Sequence, residues 1–346
     1  MFKRKQSREH IICTIQPYVK NQTMENLINF LNILRKKRNF DVNSYVDTKT
    51  DIINKFFKEN GLDSAVIGIS GGVDSAVVYS LLDHASKKKD SPIKKIVGLI
   101  MPIRCSGTTN QMEAMNKARN FCKNKIMENH STKCEFHTCD LTEAYEAFIN
   151  RSMYLDKPWS NGQLASIVRT PCLYHHAALL QENGFNSIVV GTTNRDEGSY
   201  IGFFGKASDA MVDLQPIADI HKSEVYQVAK LLGVTKEIIE AKPTGDVHDG
   251  RVDEEMIGAP YWFLELYLLL KQFRKDPLIV KSLIEQKLMW HIDGEKIELN
   301  ISQTNLFKNY SMAIEEIHNK NSHKYKVGSP AHFIDVMDRK IEGGWQ

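Results

Sequence analysis

Apolar and polar positions along the chain follow two periods in turn. Ser64-Ala-Val-Ile-Gly-Ile-Ser70 is a short apolar, β-branched run of the kind a strand buried on both faces requires, and Ala76 to Leu82 opens a helical pattern behind it. Lys95 to Met101 repeats the strand pattern and stops at Pro102, Thr108 to Cys122 reads as a helix, and Cys134 to Cys139 as a third strand. Helices follow near Leu141–Arg151 and Leu164–Gln181, then a fourth strand at Ser187–Gly191. Upstream, Thr48 to Asn60 is an amphipathic helix stopped by Gly61. Beyond Val212–Pro216 the text is mainly helical, at His221–Leu232, Lys236–Glu240, Pro260–Phe273, Pro277–Met289 and Gln303–Asn319. Strands alternating with helices predict an α/β fold, a doubly wound parallel sheet with additional helices at both ends. No repeat interrupts this order. It divides into a basic helical arm over residues 1–47, one α/β domain over 48–335 and a tail over 336–346.

Composition narrows the class. The chain has 346 residues, 42% apolar and 25% charged, with a net charge of +3, enough to bury a large core and too apolar for disorder. No uncharged apolar window approaches the roughly eighteen residues of a membrane span, and Met1-Phe-Lys-Arg-Lys-Gln-Ser-Arg lacks a leader's apolar stretch, so a soluble, cytoplasmic protein is expected. Residues 1–40 hold nine Lys/Arg against two Asp/Glu. Such an arm suits nucleic acid, but Met24, Leu27, Phe30, Leu31 and Leu34 at helical spacing make it a helix with a solvated basic face, and a nucleic-acid partner is not expected. The six cysteines form no Cys-x-x-Cys pair and show no Cys/His spacing suited to zinc, so reduced thiols are expected. Tyr261, Trp262, Phe263, Tyr267 and Phe273 lie at helical spacing and read as core or dimer contact. Asp246, Asp249, Asp253, Glu254 and Glu255, around Gly245 and Gly250, read as a solvated, mobile lid, with a metal site as the alternative.

The chemistry concentrates in Ser70-Gly-Gly-Val-Asp-Ser75, between a strand and a helix. Two glycines permit a tight turn and close backbone approach, and the helix behind them offers unpaired N–H groups and a positive dipole end to an anion. Ser70 and Ser75 add hydroxyls, and Asp74 is a hard oxygen donor suited to Mg²⁺. The loop has neither the lysine of a kinase or GTPase phosphate loop nor the three-glycine dinucleotide fingerprint. Glu197, just past the fourth strand, falls where open α/β sheets place ligands and can share that cation; Lys222, opening a helix, can meet phosphates as a point charge; Thr244 offers a hydroxyl.

The loop resembles the pyrophosphate loop of the N-type ATP pyrophosphatases, whose fold is that of the adenine nucleotide alpha hydrolases. Val190-Gly-Thr-Thr-Asn-Arg-Asp-Glu197, Gly202-Phe-Phe-Gly-Lys-Ala-Ser-Asp209, Asp213-Leu-Gln-Pro216, His221-Lys222, Lys242-Pro-Thr-Gly-Asp246 and Asn321-Ser-His-Lys-Tyr-Lys-Val-Gly-Ser-Pro330 together resemble the NAD synthetases of the ammonia-dependent type, over roughly residues 50–335. The resemblance implies ATP-dependent amidation of deamido-NAD to NAD through an acyl-adenylate, with release of AMP and pyrophosphate. It places Gly68, Ile69, Ser70, Gly71, Gly72, Val73, Asp74, Ser75, Thr192, Lys222 and Thr244 at ATP, and Asp74 and Glu197 on Mg²⁺. It places Arg169, Lys206, Asp213, His323 and Lys324 at the deamidated dinucleotide, and Asp209, with Asp74 and Lys222, among the catalytic groups.

Two departures stand out. The family pattern Ala-Arg-x-Arg is here Ser166-Ile-Val-Arg169, so Ile167 occupies the place of a substrate-contacting arginine, and one extra residue separates Glu197 from Gly202. The same chemistry on another carboxylate, a tRNA-modifying adenylating enzyme and a catalytically silent nucleotide-binding subunit are the alternatives. Only 69 residues precede the loop, fewer than the roughly 100 of a common domain, so free ammonia or a separate glutaminase is expected to supply the nitrogen. By the resemblance the enzyme is a homodimer.

Overall fold

The computed structural model describes residues 24–25, 27–104, 109–128, 132–151, 157–242, 252–273, 301–327, 331–341 and 344. The chain forms two compact units. One comprises residues 41–257 and 317–346, the other residues 1–40 and 258–316.

The larger unit begins with α2 (Val42–Glu59), after helix α1 (residues 27–38) of the smaller one. Strands β1 (Ser64–Gly68), β2 (Lys95–Ile100) and β3 (Cys134–Thr138) alternate with α3 (Val73–Lys87) and α4 (Thr109–Glu128). Helices α5 (Thr142–Ile149) and α6 (Pro158–Glu182) lead to β4 (Ser187–Val190), α7 (Arg195–Gly198), β5 (Leu214–Gln215), α8 (Lys222–Leu231), α9 (Lys236–Ile239) and α10 (Asp253–Ile257). A last strand, β6 (His332–Phe333), follows a 3₁₀ turn at Ser322–Val327. All six strands are parallel, in the order β3-β2-β1-β4-β5-β6. The expected doubly wound parallel sheet is therefore present, extended by two strands of two residues each that no sequence period announces. Expected helix Pro277–Met289 lies outside the described residues.

β1 is central, in register with β2 through Val66↔Val97 and with β4 through Val66↔Val189. Ala65, Val66 and Ile67 are fully buried, so both faces of this strand are covered. On one side Val66, Val97, Leu99, Met101, Val189 and Val212 form a cluster against which Cys139, Cys172, Leu173 and Tyr174 pack. α3 packs on β1 and β2 and against α2 and α8, which is why most of its positions are buried rather than one stripe.

A buried ion pair fastens the other edge. Lys49 of α2 and Asp219 are fully buried and 3.0 Å apart. Asp219 Oδ1 also accepts from the Tyr45 hydroxyl at 3.0 Å, and its Oδ2 accepts from the N–H groups of Val336 and Met337 at 2.7 and 3.0 Å. Lys49 donates to the Ile334 carbonyl. Burial pulls the Lys49 pKa below the ordinary lysine value while Asp219 opposes it. The pair thus ties α2 to the chain after β6.

In the smaller unit, α1 buries Leu27, Phe30, Leu31 and Leu34, the expected stripe; Met24 is exposed. α11 (Tyr261–Phe273) buries Tyr261, Phe263 and Tyr267, and α12 (Ile301–Asn321) contributes Phe307 and Tyr310, whose rings lie 5.0 and 5.1 Å from that of Phe263. Tyr261, Phe263 and Tyr267 of the aromatic stretch are core, and Trp262 and Phe273 are half-buried. Arg35 donates to both carboxylate oxygens of buried Glu265, at 2.8 and 2.6 Å.

Lys49→Met removes one charge of a buried pair and leaves Asp219 uncompensated, a change that typically destabilises by about 3–5 kcal/mol. Denaturant unfolding is expected to show a loss of that size; a loss below about 1 kcal/mol overturns the assignment of this pair as the fastening of the edge.

Candidate active site

The strand order reverses between β1 and β4, so the loops leaving these two neighbours diverge and open a crevice at the carboxyl ends of the sheet. The loop after β1 is shaped by its own hydroxyls. The Ser75 Oγ donates to the Gly72 carbonyl at 3.0 Å and lies 3.1 Å from the Ser70 Oγ, while the N–H groups of Ser70 and Gly72 donate to Ser75 Oγ and Ser70 Oγ, each at 3.2 Å. Gly71 has φ +86°, and a Cβ there would stand 2.4 Å from the Ala114 carbonyl oxygen, so only glycine fits. Ile69, Val73 and Ser75 are buried, and the Ile69 N–H is held by the Leu99 carbonyl at 2.8 Å, so what this stretch can offer a ligand is the backbone of the first turn of α3. Gly72 caps α3 without a side-chain bond, so no side chain of the cap occupies the first-turn amides.

Three helix starts converge on one charge cluster. Asp74 sits in the first turn of α3, Glu197 in α7 and Lys222 at the first position of α8. The Lys222 ammonium lies 2.6 Å from Asp74 Oδ2 and 3.0 Å from Glu197 Oε1. Asn194 caps α7, its Oδ1 accepting from the Glu197 N–H at 3.1 Å while its Nδ2 donates to Asp74 Oδ1 at 2.9 Å. Asp196, fully buried, accepts from the Lys222 N–H at 2.7 Å and lies 2.6 Å from His221 Nδ1. The His221 N–H donates to Glu224 at 2.8 Å. Lys222 is therefore held from both its backbone and its head.

The electrostatics follow from burial. Glu197 is pushed up to about 7 because burial disfavours its charge; Lys222 opposes this, while Asp74 and Asp253 add to it. Burial pulls Lys222 down, but the carboxylates of Asp74 and Glu197 outweigh it and hold the ammonium above the ordinary lysine value. Two hard oxygen donors that both meet one cationic nitrogen form a donor set suited to a divalent cation such as Mg²⁺.

Thr192 is half-buried just beyond β4, and Thr244 lies outside the described residues. Lys206 and Asp209 stand exposed on a second loop, whose start is bonded by the Phe203 N–H to the Glu197 carbonyl at 2.9 Å. Asp209 Oδ2 accepts from the Gly205 N–H at 2.9 Å and the Ser208 hydroxyl at 3.2 Å, closing that loop on itself. Lys324 donates to the carbonyls of Gly202 and Phe204 at 2.8 and 2.6 Å. Burial lowers its pKa, Asp209 raises it and Lys206 lowers it, which brings these three expected residues into one neighbourhood. His323 is exposed in the 3₁₀ turn, its Nδ1 donating to the Lys320 carbonyl at 3.0 Å.

Asp213 is occupied structurally: Oδ2 accepts from the Val189 N–H at 2.7 Å and Oδ1 from the Tyr174 hydroxyl at 3.2 Å. Arg169 of α6 donates through Nε to the Met101 carbonyl at 3.0 Å, just past β2, and Ile167 is 41% exposed. Asp253 departs from the expected solvated lid. It is 7% exposed at the start of α10 and acts on Glu197 and Lys222, whereas Glu254 and Glu255 are exposed. Asp253, Asn194 and Asp196 are the site residues that sequence reasoning misses; a buried acid in an acidic run carries no local mark.

Cys122, Cys134, Cys139 and Cys172 are free thiols as expected, but three Cys and His side chains come together where no spacing announces it. Cys172 and His176 are one helical turn apart on α6, and Cys139 after β3 joins them. Burial and Cys139 push the Cys172 thiol up to about 12, which makes it no nucleophile.

A model of the NAD synthase family matches residues 45–328. The chain is similar to the NH3-dependent NAD+ synthetase of Thermococcus kodakarensis, 30% identical over 233 residues, 66% of this chain and 80% of that protein. It is similar to the enzyme of the same name from Pyrococcus horikoshii, 31% identical over 254 residues, 69% of this chain and 87% of that protein. Among solved structures, NMN synthetase from Francisella tularensis superposes with a TM-score of 0.60 at 26% identity, covering 82% of this chain and 96% of that one. NH3-dependent NAD synthetase from Campylobacter jejuni shares the fold, with a TM-score of 0.56 at 21% identity over 86% of this chain and 100% of that one.

A carboxylate whose folded pKa is raised stabilises the fold below its unfolded pKa and loses that contribution as pH rises to the folded one. Glu197 therefore favours the fold near pH 4.5 and ceases to do so by about pH 7. In buffer free of divalent ions, Glu197→Gln is expected to gain thermal stability relative to the parent as pH rises across that window. A difference in melting temperature that stays flat with pH overturns the raised value.

Proposed function

The chain belongs to the NAD synthase family, a family of ligases, and on that premise we propose that it amidates the nicotinate carboxylate of deamido-NAD with ammonia, driven by cleavage of ATP to AMP and pyrophosphate. The observation that carries this reading is the side-chain-free start of α3 behind the Ser70–Ser75 loop, set beside the Asp74–Lys222–Glu197 cluster at the sheet's reversal point.

A carboxylate resists ammonia because its carbon is electron-rich and oxide cannot leave. Attack of a carboxylate oxygen on the α-phosphorus breaks the bond to the bridging oxygen, and pyrophosphate departs with that electron pair. Ammonia then attacks the acyl carbon of the adenylate, AMP leaves with the former carboxylate oxygen, and the nitrogen gives up its proton. The protein's share is in-line positioning and neutralisation of charge. Amides at the start of α3 and the loop backbone receive the pyrophosphate end, and Lys222 supplies a fixed positive charge there. Asp74 and Glu197 are the residues that would hold Mg²⁺, which supplies further neutralisation of the phosphates. Asp209, on the loop clamped by Lys324, takes the ammonium proton, with Lys206, His323 and Arg169 at the acceptor. Thr192 and Thr244 serve the nucleotide. Asp213 fixes β5 to β4, and the acceptor capacity left on its carboxylate serves the deamidated dinucleotide.

A second reading keeps the chemistry and changes the acceptor to nicotinate mononucleotide, which lacks the adenylate half. It is favoured by Ile167, an exposed apolar side chain that cannot replace an anion-binding guanidinium, and by the likeness to the Francisella enzyme named NMN synthetase.

Protein incubated with Mg-ATP and ammonium is expected to convert deamido-NAD to NAD with equal AMP and pyrophosphate. Preferential turnover of nicotinate mononucleotide establishes the second reading, and ADP as product overturns adenylation in both. Asp74→Ala is expected to lower kcat by about 10²–10³-fold, and full activity removes Asp74 from the machinery. Ile167→Arg is expected to lower KM for deamido-NAD by about tenfold if the added guanidinium meets a substrate phosphate. An unchanged KM counts against that placement.

A further inference from the structure

Outside the site just described, the only group of three or more His, Cys, Asp or Glu among the described residues with ligand atoms mutually close enough for a metal ion is Cys139, Cys172 and His176, all within 4.8 Å. The three come from two elements. Cys139 follows β3, its N–H bonded to the Ile100 carbonyl at 2.9 Å, and Cys172 and His176 lie one turn apart on α6.

The histidine is already set as a ligand. Its Nδ1 lies 2.9 Å from the Cys172 carbonyl, a contact that only a donated proton makes favourable, and this leaves the lone pair on Nε2. Nε2 faces Cys139 Sγ at 3.6 Å. A backbone carbonyl on the other ring nitrogen is the usual outer-shell support of a metal-binding imidazole. In a tetrahedral site with Zn–S of about 2.3 Å and Zn–N of about 2.0–2.1 Å, sulfur and nitrogen stand about 3.6 Å apart. The Cys139 separation fits as it stands; Cys172 Sγ, which lies 3.8 Å from Nδ1 of the same ring, turns toward Nε2 to join the shell. Two sulfurs and one imidazole select a thiophilic or borderline ion over Mg²⁺, which takes oxygen ligands.

We propose that Cys139, Cys172 and His176 bind one zinc ion with solvent in the fourth position, pinning α6 to the end of β3. All three residues are half-buried, so water can complete the shell. Binding releases the two thiol protons to solvent and involves no change of oxidation state. α6 carries Arg169 less than one turn before Cys172, so the ion steadies the helix that presents the acceptor side of the active site.

Full-length protein loaded with zinc and dialysed against zinc-free buffer is expected to retain one ion per chain. Cobalt(II) in its place is expected to give a thiolate-to-cobalt charge-transfer band with intense visible bands of tetrahedral coordination, which carboxylates such as Asp74 and Glu197 cannot produce. Cys139→Ser and His176→Ala, each checked for native circular dichroism, are expected to weaken zinc by more than about 100-fold, beyond what loss of an outer-shell partner does. Absence of bound zinc, a cobalt spectrum without the thiolate band, or undiminished binding in both variants overturns the site. So does a mass two hydrogens short that reductant restores with no ion bound, since the pair is then a disulfide. None of these outcomes bears on the amidation reading, whose assay follows NAD, AMP and pyrophosphate.

Discussion

One lysine against two carboxylates organises the larger unit. Lys222 opens α8, where the helix dipole disfavours a cation, and it is buried, which disfavours it again. Both penalties are offset because Asp74 and Glu197 occupy the first turns of two other helices, where their negative charges are favoured. The arrangement makes each charge depend on the others. It also leaves the ammonium and the amides behind Gly72 in one crevice, the combination a polyphosphate tail requires. Asn194 and Asp196 complete the bond between elements far apart in sequence, the first by joining Asp74 to the α7 backbone, the second by gripping the α8 backbone.

A separate strap controls the loop after α7. Near the end of α12, His318 stacks on Tyr200 at 3.8 Å with its Nδ1 donating to the Tyr200 carbonyl, and Asn321 donates to the Ile201 carbonyl. Lys324 takes the carbonyls of Gly202 and Phe204, and the Tyr325 hydroxyl that of Gly198. Every bond runs from a C-terminal side chain to backbone, so the loop's path is fixed while Lys206 and Asp209 remain exposed. That division suits a segment that stays in place while presenting charged side chains to solvent.

How much of this the sequence discloses depends on the range of each interaction. β1 to β4 and the helices between them are legible because a strand buried on both faces must be a continuous apolar run, and Gly71 is legible because its φ and the nearby Ala114 carbonyl admit nothing larger. β5 and β6 are too short to carry a period; they exist because Asp213 and the 331–334 segment find partners across the sheet. The same holds for Lys49 with Asp219 and for Leu27–Leu34 joining residues 258–316, which are pairings over more than a hundred positions. Asp253 reads as one more solvated acid because its burial is tertiary.

Cys139 and Cys172 illustrate the limit most sharply. Spacing rules for metal ligands presume that a short segment supplies most of the shell, and these two cysteines stand 33 positions apart. The half that is local, Cys172 and His176 at i and i+4, is the helical pattern that places two side chains on one face. The third ligand arrives only because β3 ends beside α6, a consequence of the parallel winding itself. The fold that brings the Ser70–Ser75 loop and Glu197 together at the sheet's reversal point also sets a thiol at the end of its outer strand against a helix. Chemistry-bearing residues converge at both places for one reason: parallel strands deliver all their carboxyl ends to the same edge.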